Sequence, residues 1–302
     1  MCRGLGLRRG RRRTGPPTRT RLRPPPAVTA EALAGPATAE ALSELGLPAV
    51  QKLRFGGYDG RGVAVVGAGA GATPAVLPLD GPSYFEELVD IETELAVLVA
   101  RTSEGEMITY PPVEMDPELN LVRAVLYPAA IPAAVAREAD RVARAAAEAI
   151  GAVGITAVEL FVTTDGAVLV NELAPRPHNS GHLTIEAAET DQFEQHLRAV
   201  MGLPLGSTRM RGPAVMRNVI GSGTEGPTVH EGMEQVLAVS GAHLHLYGKH
   251  RSRPGRKMGH LTVCREAIDE ARAAAAEAVA ALQVTGRHPA ASASPAAPGK
   301  GG

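Results

Sequence analysis

Apolar and polar residues alternate along this chain with two different periods, and the changes of period outline its elements. Residues 131–150, IPAAVAREADRVARAAAEAI, repeat their apolar positions at helical spacing. Pro132 lies near the first turn and Gly151 just past the last, which predicts an amphipathic helix with both ends marked. Helical patterns also cover residues 30–45, 192–200 and 265–283. Short buried runs predict strands at Ala49–Leu53, Val63–Val66, 94–100 (ending at Arg101), 155–162, 167–173, 215–220 and 243–247. The glycine cluster GGYDGRG at 56–62 joins the first two strands as a hairpin, and Asp165–Gly166 signals another. Hairpins mixed with helices in this way predict an α+β fold rather than a doubly wound parallel sheet.

The two ends lack such a pattern. Residues 1–26 are Arg, Gly and Pro with nine Arg and no acid, and they cannot bury enough surface to offset their ordering entropy. They are expected to be a disordered leader, and residues 285–302 a disordered tail. The formal charge of −1 therefore hides an asymmetry: beyond the leader, 22 basic groups face 32 acidic ones. An acidic body without Trp and with 3 % aromatics argues against a nucleic-acid binder. Cys2 and Cys264 cannot make a disulfide framework, and no apolar run approaches the roughly 20 residues of a membrane span. A cytoplasmic protein that contacts neither membrane nor nucleic acid is expected.

Candidate chemistry concentrates in four places. With a two-residue turn at Asp165–Gly166, Glu159 lies directly opposite Glu172; a four-residue loop would make them diagonal neighbours on the same face. Either register brings two carboxylates together beside the amide of Asn171. Converging oxygens with unbalanced negative charge suit a hard cation such as Mg²⁺ carrying nucleotide phosphates, although a solvated acidic face would read the same way. The cluster at 56–62 lets backbone N–H groups approach a phosphate, and Lys52 on the neighbouring buried strand calls for an anionic partner; a mobile turn and a lysine snorkelling to the surface are the alternatives. The loop NELAPRPHNSGH at 171–182 carries Arg176, His178, Asn179 and His182, and RPGRKMGH at 253–260 carries Arg256, Lys257 and His260. Two basic loops beside a metal pair point to an anionic, phosphate-bearing substrate.

At these residues the chain resembles the N5-carboxyaminoimidazole ribonucleotide synthase family of ATP-grasp carboxylases. GGYDGRG, FEELVDIETELAVLVAR, VELFVTTDG, NELAPRPHNSGH, QFEQHLRAVMGLPLG and YGKHRSRPGRKMGH occur in family order across about residues 30–282. The resemblance implies an ATP-grasp domain over 27–205 and a small, β-rich substrate-binding subdomain over 206–284. It implies carboxylation of 5-aminoimidazole ribonucleotide with bicarbonate at the expense of ATP, in purine biosynthesis, with Mg²⁺ or Mn²⁺ as the metal and a homodimer as an allowed assembly. Lys52 and the loop Gly57, Tyr58, Asp59, Gly60, Arg61 and Gly62 would cover the nucleotide phosphates. Glu86, Glu87, Leu88 and Val89 would form the adenine hinge, and Glu94 would meet the ribose. Glu159 and Glu172 would hold the metal beside Asn171, while Arg176, His178 and Lys257, with Asp59 and Arg61, would serve ribonucleotide and carboxyphosphate. The family's leading Rossmann-like domain has no counterpart here, so an ATP-grasp fold lacking that domain is expected. YPPVEMDPELN also lacks the histidine that some relatives carry near Pro117. The competing expectation is a catalytically impaired nucleotide-binding fragment or regulatory subunit of that enzyme.

Overall fold

A computed structural model describes residues 27–28, 42–56, 62–67, 79–118 and 121–287. The chain divides into two units after Ala214.

In the first unit, β1 (Ala27–Val28), β2 (Ala49–Leu53), β3 (Val63–Val66) and β4 (Ser83–Glu87) form a small sheet in the order β1-β4-β2-β3. Strands β2 and β3 have the predicted bounds. Of the helix expected at 30–45, residues 42–45 are helical and the remainder lies outside the described residues. Phe85, Ala49, Val66 and Leu42 form this sheet's own core.

A larger sheet follows, built from β5 (Ile91–Arg101), β6 (Met107–Thr109), β7 (Val113–Glu118), β8 (Leu121–Tyr127), β9 (Gly154–Thr163) and β10 (Val168–Ala174). Its order is β10-β9-β5-β7-β8, with β6 beside the end of β5. All pairings in the two sheets of this unit are antiparallel, as an α+β fold requires. Strands β7 and β8 were not predicted: β7, VEMDPE, is rich in Pro and acidic residues of weak strand propensity, whereas the apolar run LVRAVLY of β8 carries a strand signal that went unread.

Helix α1 (Ala133–Ile150) covers one face of the larger sheet. Gly151 ends it in the left-handed region at φ 61°, its N–H reaching the Glu148 carbonyl. Ala139, Val142, Ala143, Ala146 and Ala147 pack on Leu95, Val97, Val99, Val158, Leu160 and Val162. Alanine at four of these five positions brings the helix backbone close to the strands. The opposite face carries Leu98, Ala100, Ala157 and Ala174, against which α2 (Thr184–Ala187) and α3 (Gln192–Val200) follow in sequence.

The second unit contains β11 (Ala214–Ile220), β12 (Gly226–Glu231), α4 (Met233–Ala238), β13 (Ala242–Leu246), β14 (Arg251–Ser252), β15 (Lys257–Cys264), α5 (Ile268–Ala281) and β16 (Gln283–Gly286). Strands β11, β15 and β13 neighbour one another in that order, and β14-β12-β16 form a separate sheet. Two expectations are corrected here. Lys257 and His260 stand on a strand rather than a loop, because KMGHLTVC buries six consecutive residues after Lys257. Thr285 and Gly286, expected to open a tail, pair with Val229 and Thr228 in the ladder of β12.

Because Ala143 is fully buried against the sheet, Ala143→Leu should lower stability by about 1–3 kcal/mol through overpacking, despite the two residues' similar helix propensity. Urea denaturation of the pair checks this; an unchanged midpoint would show that the helix can move away from the sheet.

Candidate active site

Glu159 and Glu172 are direct partners across β9 and β10, as expected, but the route to that register differs from the predicted one. The connection is three residues long, 164–166, closed by Gly166 N–H on the Thr163 carbonyl at 2.8 Å and by Thr163 N–H on the Ala167 carbonyl at 2.9 Å. Gly166 takes φ 83°, which the third loop position of such a hairpin favours. Val168, Val170 and Leu160 then pair one residue out of step with the glutamates, and a bulge at Asn171 restores the offset. This shift changes what each side chain faces. Val168, Val170 and Leu173 all meet the core under α1, while Glu172 turns to the other face, where Glu159 stands.

That face gathers further polar groups. Glu159 is the partner of Ala96 on β5, and Glu94 lies two residues along the same face, where burial raises its carboxyl above the usual range. His178 Nε2 stands 3.5 Å from Glu159 Oε1, both side chains 14 % exposed. Ligating atoms of Glu159, Glu172 and His178 all lie within 4.8 Å of one another. The pair of opposed carboxylates fits a divalent cation of the Mg²⁺ or Mn²⁺ class by its donor chemistry.

Lys52 links the small sheet to this site. Its Nζ is 2.6 Å from Glu86 Oε2 and donates to Asn171 Oδ1 at 3.0 Å, on the residue next to Glu172. Tyr84 is the cross-strand partner of Lys52, and sequence reasoning missed it. Its phenol is pushed above the ordinary 10.0, first by burial, then by the carboxylates of Glu86 and Glu172. The proximity of Glu172 is legible only in three dimensions. Glu86 is buried and engaged by Lys52, Glu87 is exposed, and Leu88 and Val89 are half-buried in the link between β4 and β5. In the glycine loop, Gly57, Tyr58, Asp59, Gly60 and Arg61 lie outside the described residues; Gly62 precedes β3 with φ 82°, and its carbonyl accepts from Leu53 N–H at 2.8 Å.

The 175–182 loop brings His178 to the carboxylates and leaves Arg176 exposed, with Nη1 on the Pro177 carbonyl at 3.1 Å. His178 Nδ1 accepts from Ser180 N–H at 3.3 Å and contacts Ser180 Oγ at 2.9 Å. A backbone N–H can only donate, so the ring proton sits on Nε2, facing Glu159. Lys257 belongs to the second unit, where its carbonyl accepts from Lys249 Nζ at 2.5 Å. In the same unit Tyr247 Oη is 3.0 Å from His260 Nδ1, and the His245 and His260 rings stack at 4.5 Å.

Residues 20–193 match the ATP-grasp domain family, and residues 214–274 match the phosphoribosylaminoimidazole carboxylase C-terminal domain. N5-carboxyaminoimidazole ribonucleotide synthase of Bacillus subtilis is 43 % identical over 232 residues, 76 % of this chain and 60 % of the relative. The chain thus spans about three-fifths of the length of that curated relative. The crystal structure of N5-carboxyaminoimidazole ribonucleotide synthetase from Thermotoga maritima has a TM-score of 0.76 at 42 % identity, covering 87 % of this chain and 68 % of that one. The synthase from Aspergillus clavatus, solved with ADP and 5-aminoimidazole ribonucleotide, has a TM-score of 0.73 at 31 % identity, covering 85 % of this chain and 68 % of that one. No helix among the described residues is long and apolar enough to cross a membrane.

The position of Tyr84 gives a spectroscopic test. In an alkaline absorbance titration, the difference between this chain and Tyr84→Phe should show a phenol ionising above the ordinary 10.0. Glu172→Gln should bring it partly back, since burial, the larger cause, remains. A native phenol that keeps its proton after the unfolded one has released it makes stability fall as pH rises past about 10. Ordinary ionisation of Tyr84, or none of the expected response to Glu172→Gln, would contradict the placement.

Proposed function

The chain belongs to the ATP-grasp family and, within it, to the N5-carboxyaminoimidazole ribonucleotide synthases, and from that membership we propose that it carboxylates 5-aminoimidazole ribonucleotide with bicarbonate and ATP. The observation that carries this reading is the convergence of Glu159 and Glu172 beside Asn171, with Lys52 donating to that same asparagine.

Phosphoryl transfer to bicarbonate demands positioning and charge neutralisation more than covalent help from the protein. Lys52 balances phosphate charge, and its contact with Glu86 keeps the ammonium aimed across to β10. The backbone from Glu86 to Val89 leaves the small sheet as an edge for an adenine ring, and Glu94 serves the ribose, where a carboxyl shifted upward by burial still accepts hydroxyl protons. Glu159 and Glu172 would hold Mg²⁺, which when bound neutralises the phosphate oxygens. His178 presents an Nε2 proton toward Glu159 and fixes that carboxylate's direction. Arg176, exposed and unconstrained beyond its Pro177 contact, and Lys257 of the second unit are assigned to the ribonucleotide and carboxyphosphate, whose charge they would match. A cytoplasmic location and a homodimeric assembly belong to the same proposal.

The experiment is ADP release from the full chain, which should require both bicarbonate and 5-aminoimidazole ribonucleotide. The Glu159→Gln/Glu172→Gln double variant should lose about 100-fold or more in Mg²⁺-dependent ATP affinity, since charge-assisted contacts contribute roughly 1.5–3 kcal/mol each. Lys257→Ala should abolish ribonucleotide-dependent turnover and leave ATP affinity within a few-fold. ADP release indifferent to the ribonucleotide, or an unchanged Mg²⁺–ATP affinity in the double variant, would overturn the assignment.

A further inference from the structure

The QFEQH segment at 192–196 supplies none of the ligand contacts assigned above, yet all three of its uncharged polar and imidazole side chains turn inward. Gln195, fully buried, closes on the Gly206 backbone, donating from Nε2 to the carbonyl at 2.8 Å and accepting the amide at Oε1 at 2.8 Å. His196 Nδ1 accepts from Ile155 N–H at 3.0 Å. Gln192, also fully buried, makes the same two-bond clasp on His178: its Oε1 accepts the His178 amide at 2.8 Å and its Nε2 donates to the His178 carbonyl at 2.8 Å.

That clasp removes any ambiguity about which way the Gln192 amide points. A backbone N–H must face oxygen and a backbone carbonyl must face nitrogen, so Nε2 is the donor on this side. His182 Nδ1 lies 2.9 Å from that Nε2 and must therefore accept, which leaves the His182 proton on its own Nε2. Thr184 Oγ1 holds the clasp in place, accepting from Gln192 N–H at 3.0 Å and donating to the Gly181 carbonyl at 2.6 Å. The loop can close this tightly only without a side chain at 181, where a Cβ would stand 2.5 Å from both Gln192 Oε1 and Leu98 Cδ1.

We propose that Gln192 is a positioning residue for the active site: it holds the 178–182 loop so that the His178 ring meets Glu159, and it sets the tautomer of His182. The role rests on the carboxylase reading for its catalytic meaning, but the clasp acts whether or not the chain turns over. Gln195 is the matched comparison, since it makes an equally buried two-bond clasp on Gly206, away from the loop. Gln192→Met and Gln195→Met remove the same bonds from the same helix at nearly unchanged volume.

Nitrogen-15 NMR of the full chain without nucleotide, with both imidazoles neutral, reads the outcome directly. In the parent chain His178 and His182 should each show an acceptor Nδ1 and a protonated Nε2. Gln192→Met should move the His182 signals toward a mixture of tautomers and shift those of His178, whereas Gln195→Met should leave both in place. In the ribonucleotide-dependent assay, Gln192→Met should lower kcat about 10- to 100-fold with KM for ATP nearly unchanged, the effect expected of a displaced catalytic group. Should Gln192→Met not fold, Gln192→Glu keeps the acceptor for the His178 amide but loses the donor to the His178 carbonyl and to His182 Nδ1, and should shift the His182 signals. Unmoved His182 signals in either foldable Gln192 variant, or equal shifts from Gln195→Met, would overturn the proposal. Loss of the ring signatures in a chain that never shows ribonucleotide-dependent turnover would support the clasp and refute the carboxylase reading instead.

Discussion

Two carboxylates, those of Glu159 and Glu172, face each other across one pair of strands, and the arrangement around them answers that repulsion. Like charges placed directly opposite on a sheet destabilise it. Here the cost is met on two sides: by the Nε2 proton of His178 near Glu159 and by the exposed position of Glu172 itself. Tyr84 registers the same field from the small sheet, its phenol held protonated by burial and by the negative charge of Glu86 and Glu172. A cation placed between the two glutamates would relieve that repulsion, which is the physical basis of the metal-holding role proposed for the pair.

The bulge at Asn171 makes this possible without sacrificing the core. Side chains of a strand alternate between faces, so an unbroken β10 could not send Val168, Val170 and Leu173 all to the same side. One additional residue changes the parity midway. Leu173 then joins the cluster beneath α1, and Glu172 is carried to the face of Glu159. The displaced residue, Asn171, is the one that accepts from Lys52. A single irregularity therefore serves packing, the facing of the two glutamates and the link between the two sheets.

Helix α3 shows a related economy. Its buried residues are Gln192, Gln195 and Ala199, while Phe193, Leu197 and Val200 are exposed, the reverse of an ordinary surface helix. Amide clasps replace apolar packing because the segments it meets, at His178 and Gly206, are irregular backbone whose N–H and carbonyl groups need partners once buried. Such clasps define direction, which apolar contacts do not, and a loop carrying His178 benefits from that precision.

Much of this protein was legible without coordinates, and the reason is physical. Strands β2 and β3, helix α3 and the facing of Glu159 with Glu172 follow from local period and turn chemistry, which act over a few residues. The family-specific runs NELAPRPHNSGH and RPGRKMGH pointed to an anionic substrate because cations and carboxylates must be grouped to handle phosphate. Strand β7 escaped because neighbouring strands override the weak propensity of a Pro- and acid-rich stretch, while the apolar run of β8 was legible and went unread. The three-residue loop and compensating bulge escaped because several combinations of turn length and slippage give the same opposed glutamates. Tyr84 and Gln192 escaped altogether: nothing near either residue in sequence names its partner, 88 residues away in Glu172 and 14 away in His178. The sequence by itself determined which groups are candidates for the site, since that depends on residue type and short spacing. Only the tertiary structure decided what holds them in place, since contacts between distant segments exist only once the chain has closed upon itself.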